Sequence, residues 1–521
     1  MSDRKKITAA TAVLSSATLI SRFGGLARDI VIASLFGAGF GSDAFFMAFT
    51  IPNLLRRFFA EGSLTAAFVP TFTQVRQQHG EIEARRVVNI CWSLLLVVMI
   101  GVTLCGMLAS PWLVKMIGGG FAQIPGKMEL TIHLTRLMFP YIFFVSLLAL
   151  LTGVLNVYGH YFIPAISPLV LNVAMIVSAI VFHQQLSVPV EALAWGVLAG
   201  GLLQLAMTLP VMRRYGFNLK LCFKWRDVVV QRIGRLMIPG VVGVAIYQIN
   251  VVVTRLLSSF LEQGSVSYLY YGQRLFEFPQ GIFVVSLAQA VLPTMSRQAA
   301  AGKVDEVKES LRYALTLIVL ITVPAAAGLL VCATPIYSQL FMSGAFSYTD
   351  VQQTALALAA YAPGLLFVGI SRVIVPTFYA MKDTRTPVVV SFWTLLVNVA
   401  FGLALMGGFH HVGLALALTL SSIFNAMVLL VLLQRRLGSL ALGGVVQSAL
   451  RVIVATAVMA VIVQRLLLFG DWAAGLTLEN FAILIGAISG GLVVYALSCY
   501  LLNIKEMHDV VAIAKRRLKI P

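Results

Sequence analysis

The 521-residue chain is 59% hydrophobic and 11% charged, where an ordinary soluble domain carries roughly a quarter charged residues, so a soluble enzyme or binding module is excluded. Apolar runs of about 20 residues recur throughout, each able to cross a hydrocarbon core of about 30 Å as a helix. The formal net charge of +18 would point a soluble protein toward nucleic acid, but here it follows from the placement of loops, and no nucleic-acid partner is expected.

The N-terminal stretch MSDRKKITAATAVLSSATLI joins a basic head to an apolar run, as a secretory signal does. No convincing cleavage site follows and the run continues to Phe36, so it reads as a retained first span. Hydropathy against breaks places fourteen spans, starting near residues 8, 42, 87, 130, 163, 189, 229, 265, 309, 352, 386, 411, 445 and 480. An even number puts both termini on one side. That side carries Arg4, Lys5 and Lys6; Arg76, Arg85 and Arg86; Arg213, Arg214, Lys220, Lys224, Arg226 and Arg232; Arg297, Lys303 and Lys308; Lys382 and Arg385; Arg435 and Arg436; and a basic tail from Lys505 to Lys519. Only Lys115 and Lys127 stand out on the other. The positive-inside rule then makes both termini cytoplasmic. The tail from Ile504 onward has a basic face beside Met507, Val510, Val511 and Ile513, a pattern open to two readings, a helix on the anionic leaflet or a solvated one.

An internal repeat runs through these spans. GSDAFF at 41 matches GSVSYL at 264, and AFVPTF at 67 matches AVLPTM at 290, both 223 residues apart. The same offset pairs Pro140, Phe144 and Val145 with Pro363, Phe367 and Val368, and Pro164 with Pro387. With small gaps NVA at 172 meets NVA at 398, and Arg213, Arg214 and Gly216 meet Arg435, Arg436 and Gly438. The unit holds six spans. Six is even, so both copies enter from the same side, and a pseudo-twofold axis along the membrane normal is expected, as in parallel-repeat transporters. The last two spans lie outside the repeat.

Ionisable groups inside spans cost about 2.5 to 3.5 kcal/mol each and face a cavity or a partner. Here they gather in the first two spans of each copy: Arg22, Arg28 and Asp29; Asp43, Arg56, Arg57 and Glu61; Arg274 and Glu277. On a straight helix Arg22 and Arg28 point about 120° apart. Gly24 and Gly25 are expected to open or bend the helix between them. Two readings remain: the arginines pair with these acids and fix helix packing, or their guanidinium forks receive an anionic cargo, phosphate or carboxylate. Arginines outnumber acids in these spans, which favours the cargo.

Other chemistries fit less well. FAQIPGKM lacks the first glycine and the Ser or Thr of a phosphate loop, and GAGFGS at 37 fails the dinucleotide pattern. Five scattered cysteines form no CxxC, and of seven histidines only His410 and His411 adjoin. No catalytic residue, metal or cofactor is expected. A membrane-embedded enzyme of lipid-linked sugar metabolism would need clustered acids or histidines near one face. A drug exporter for cations would carry an excess of buried acids.

The stretch SRFGGLARDIVIASLFGAGFGSDAFFMAFTIPNLLRRFFAEGSLTAAFVP, with GSVSYLYYGQRLFEFPQGIF later, closely resembles the MurJ/MviN family, bacterial lipid II flippases of the MOP exporter superfamily. The resemblance implies an all-α integral membrane protein of about 14 transmembrane helices. It divides the chain into an N-terminal lobe at 1–220, a C-terminal lobe at 221–438, a lipid-tail groove from the last two spans at 439–503 and a cytoplasmic amphipathic tail at 504–521. It implies a monomeric transporter in the bacterial inner membrane. Its cargo would be lipid II, the undecaprenyl-pyrophosphate-linked peptidoglycan precursor, moved from cytoplasmic to periplasmic leaflet by alternating access among membrane lipids. The alternative is another flippase of the superfamily for an anionic lipid-linked oligosaccharide. Carried over by motif, substrate-binding arginines fall on Arg22, Arg28, Arg56 and Arg274. Ser21, Asp29, Asp43, Asn53, Glu61, Ser267 and Glu277 would line or gate the cavity. A sodium site proposed in the C-terminal lobe of some members would need an acid in span 7, 11 or 12, and those spans hold none, so sodium coupling is not expected.

Overall fold

The computed structural model describes residues 3–57, 64–504 and 506–507, which are helices joined by turns and loops, with no strand among them. They divide into two compact units, the first ending at Val266 and the second beginning at Ser267. Glu61 and most of the C-terminal tail lie outside the described residues.

The first unit contains α1 (Asp3–Phe36), α2 (Phe40–Arg56), α3 (Leu64–Gly118), α4 (Lys127–Met138), α5 (Tyr141–Val157), α6 (Phe162–Phe182), α7 (Glu191–Arg214) and α8 (Val228–Ser259). Helices of this composition stop where the backbone must turn. Gly37, Gly126, Gly159 and Gly216 take positive φ at such points, and Gly80 does so inside α3, where the helix kinks. Pro140, which lacks an amide hydrogen, separates α4 from α5. α6 packs on α7 and α1, α3 on α5 and α8, and α2 on α4. Phe68, Phe72, Val87, Leu151, Val154 and Phe217 form the core of α3, α5 and the segment after α7.

The second unit follows with α9 (Ser265–Pro279), α10 (Val285–Ala300), α11 (Val304–Leu340), α12 (Tyr348–Tyr361), α13 (Gly364–Ala380), α14 (Arg385–Leu437), α15 (Gly443–Leu467) and α16 (Leu478–Leu501). A π-helical turn, Gln280–Val284, joins α9 to α10 just after Pro279. α11 is the hub: it packs on α10, α12, α13 and α15. The last two helices, α15 and α16, close on α11 through Val319, Val452, Met459, Ala487 and Tyr495, and the Tyr495 hydroxyl donates to the Leu320 carbonyl at 2.7 Å.

Among the described residues nine helical segments are long and apolar enough to cross a bilayer, and the bent pair α12 and α13 makes a tenth. Two of the nine are double length. α14 turns at His410, where φ is 50°, and the pieces 385–409 and 411–437 each exceed the roughly 20 residues one crossing needs. The repeat is visible in the turns of each unit. Pro140 and Pro363 interrupt helices at the 223-residue offset, and Gly159 and Lys382 both take positive φ at that same offset. Gly80 with Gly302 and Gly216 with Gly438 repeat the conformation one residue short of it.

Candidate functional site

Position 28 is the centre of the first unit's buried ionic network. α1 runs without a break through Gly24 and Gly25, so these glycines do not open the helix as their spacing suggests. They admit α6 instead: a Cβ on Gly24 would lie 2.4 Å from Leu169 Cδ1, and one on Gly25 would lie 3.6 Å from Asn172 Nδ2. The close approach brings Asn172 to Arg28. The Arg28 Nη1 donates to Asn172 Oδ1 at 3.1 Å, while Nε and Nη2 donate to Asp29 Oδ1 at 3.0 and 2.6 Å. Asn172 Nδ2 reaches back to the Ser21 carbonyl at 3.4 Å. Arg28 is 5% exposed and Asp29 1%, and such a pair is held by hydrogen bonds on every side or not at all.

Arg22 sits on the same helix, half-buried, with no hydrogen bond or ion pair among the described residues. Arg56 closes α2 and donates from Nε and Nη2 to Asn53 Oδ1 at 3.2 and 3.1 Å, a neutral partner that leaves the guanidinium's charge uncancelled by that contact. Asp43 lies deeper. It accepts from Lys127 Nζ at 2.9 Å and from the Gly264 backbone N–H at 2.8 Å, and the side chains of Asp43 and Lys127 are both 1% exposed. The ammonium also stands 4.3 Å from the centre of the Phe121 ring. Sequence reading leaves Lys127 in a loop on the far side. The structure places it in the first turn of α4, after Gly126 in the left-handed conformation, and the signal that could have found it was a buried Asp43 in need of a cation.

In the second unit Arg274 and Glu277 form an i, i+3 pair at 3.7 Å, each about one-third exposed. The guanidinium donates from Nη2 to the Tyr270 hydroxyl at 3.0 Å and lies 5.2 Å from the centre of that ring. Gln273 Nε2 donates to Glu277 at 3.2 Å, and Ser267 is fully buried. The structure thus joins Arg28 with Asp29, Arg56 with Asn53 and Arg274 with Glu277, ties Asp43 to a lysine outside the expected set, and adds Asn172. Among the described residues no group of three His, Cys, Asp or Glu could hold a metal.

The profile of the family described as Lipid II flippase MurJ matches residues 32–483. A probable lipid II flippase MurJ of Vibrio cholerae serotype O1 is 36% identical over 432 residues, 82% of each chain. A probable lipid II flippase MurJ of Bdellovibrio bacteriovorus is 34% identical over 502 residues, 95% of this chain and 96% of its own. Among solved structures, a lipid II flippase MurJ in an inward closed conformation aligns with a TM-score of 0.78 at 25% identity, over 97% of this chain and 99% of its own. An inward-facing multidrug resistance MATE transporter of the MOP superfamily aligns at 0.68 and 15% identity over 83% of this chain, a likeness of fold alone. Matched along most of its length, the chain belongs to the lipid II flippase MurJ family.

Proposed function

We propose that the chain carries lipid II from the cytoplasmic to the periplasmic leaflet of the bacterial inner membrane, as a monomer with both termini in the cytoplasm. Its mechanism is alternating access between two lobes of six spans at 1–220 and 221–438, with the two last spans beside the prenyl tail, fourteen in all. Arg22, Arg28, Arg56 and Arg274 receive the pyrophosphate and peptide carboxylates, for which planar guanidinium forks are suited. The observation that carries this reading is Arg22, a half-buried cation within a span whose charge meets no acid among the described residues. A cation so placed awaits an anion. Arg28, on the same helix, is held by Asp29 and Asn172. An inside-negative potential favours outward movement of the anionic head by about 2.3 kcal/mol per charge per 100 mV.

The test is complementation in cells depleted of their own flippase, read as cleavage of lipid II by an enzyme added from the periplasmic side. The wild-type chain restores cleavage, and Arg22→Ala, accumulating normally in the membrane, does not. Undiminished cleavage with Arg22→Ala would remove that residue from the cargo path.

A further inference from the structure

Beside the turn between α13 and α14 lies an open pocket of about 380 Å³, within the size range of small-ligand sites. Its apolar lining includes Phe378, Val389 and Leu432, and its polar lining is Arg385, Thr386 and Arg436. Arg436 pairs with Asp383, and that carboxylate also accepts from the Thr386 backbone N–H at 3.0 Å and hydroxyl at 2.7 Å. These contacts, the Thr386 backbone first, hold the Asp383 carboxyl below its ordinary range. Asp383 is thereby occupied. Arg385, at the first position of α14, is exposed and its guanidinium has no ion pair or hydrogen bond among the described residues.

From this cation an apolar stripe runs along α14. Val389, Phe392, Trp393 and Leu396 are all exposed and recur at helical spacing from Arg385, covering about 16 Å at 1.5 Å per residue. That is about the depth of one leaflet's hydrocarbon. A guanidinium at the head of such a stripe, over a cavity with an apolar lining, has the polarity of one phospholipid molecule: phosphate at one end, acyl chain along the other. The first unit lacks the arrangement. At the 223-residue offset Arg385 becomes Phe162, Thr386 becomes Ile163 and Asp383 becomes His160.

We propose that this corner is a binding site for an anionic phospholipid, its phosphate held by Arg385 and Arg436 and one acyl chain laid along Val389, Phe392, Trp393 and Leu396. The site is separate from the four arginines assigned to the cargo. It supplies the second unit with a fixed lipid ligand, held where α13 turns into α14.

The experiment uses the purified full-length protein in detergent, given dioleoyl phosphatidylglycerol or dioleoyl phosphatidylcholine, with retained lipid measured by mass spectrometry and stabilisation by thermal melting. The wild type retains the anionic lipid over the zwitterionic one roughly tenfold, and Arg385→Gln removes most of that preference. Arg213→Gln, the control in the first unit, leaves it intact. Val389→Trp fills the cavity with every charge in place and also removes it, so the result does not depend on one variant folding. Equal retention of both lipids by the wild type, or an Arg385→Gln protein with unchanged preference, overturns the site. Release of the lipid by millimolar inorganic phosphate overturns it too, since a free anion would then suffice. Detergent binding is indifferent to which leaflet the corner faces, so failure here leaves the flippase reading untouched.

Discussion

The two units repeat each other's turns and differ in where they put charge. Both buried cations among the described residues, Arg28 and Lys127, fall in the first unit, each against a buried acid. The second unit's ion pairs among the described residues, Arg274 with Glu277, Lys303 with Glu306, Lys308 with Asp305 and Arg436 with Asp383, all keep contact with solvent. Among its described residues one acid is buried, Asp350, which caps the start of α12 through Ser347 and accepts from Tyr268. The corner turns show the same divergence: Gly159 and His160 beside Tyr215 in one unit, Lys382 and Asp383 beside Arg436 in the other. Duplication preserved the backbone punctuation, set by the positive φ its turns require, while ionic side chains, each engaged with only a few partners, drifted apart.

The sharpest way to break this contrast is at Arg28. Arg28→Ala should abolish flipping while the protein still accumulates, and Arg28→Lys, which keeps charge and loses the fork, should restore only part of it. If Arg28 served packing alone, Arg28→Ala combined with Asp29→Asn would remove the stranded charge and recover full activity in the periplasmic cleavage assay. Next in size is the second buried pair. Lys127→Met should cost about 3–5 kcal/mol by leaving Asp43 buried without its cation, and adding Asp43→Asn should recover much of the lost melting temperature. The equivalent double change at Arg274 and Glu277, about one-third exposed, should move the melting temperature little.

A smaller effect is expected at the α6–α7 contact. A Cβ on Gly196 would lie 2.7 Å from Met175 Cα, a backbone atom that cannot swing aside, so Gly196→Ala should destabilise by about 1–3 kcal/mol. Gly25→Ala, whose nearest neighbour is Asn172 Nδ2 at 3.6 Å, should be close to neutral. The smallest effect concerns the surface cluster of Glu81, Tyr158 and Arg76. The Tyr158 hydroxyl bond, then Arg76, lowers the Glu81 carboxyl, so its contribution is present above the unfolded value of 4.5 and lost as pH falls through the folded one. Burial, then Glu81, raises the Tyr158 phenol to about 12, so that contribution is intact below pH 10 and lost as pH rises through about 12. Tyr158→Phe should flatten both limbs of the melting-temperature profile, by less than about 1 kcal/mol.

The sequence made the helical membrane fold and the repeat readable, because apolar length and proline offsets are local signals, while which acid meets Arg28 stayed open until the structure placed Asp29 there. Asn172 and Lys127 were not readable as members of the buried network. Asn172 meets Arg28 across 144 residues of chain and Lys127 meets Asp43 across 84, contacts fixed by helix packing that no window of sequence contains. The glycines misled for the same reason: in a helix Gly24 can serve bending or close approach, and only the position of Leu169 decides between them.

Lys127 has a use beyond holding Asp43. Its amine is sealed, while Lys115 and Lys220 stand in the open, so an amine-directed acylating reagent will mark those two in seconds and reach Lys127 only when α4 and α2 part. The rate at which cleavage by trypsin after Lys127 is lost is therefore a clock for that opening, native to the chain and free of any attached dye.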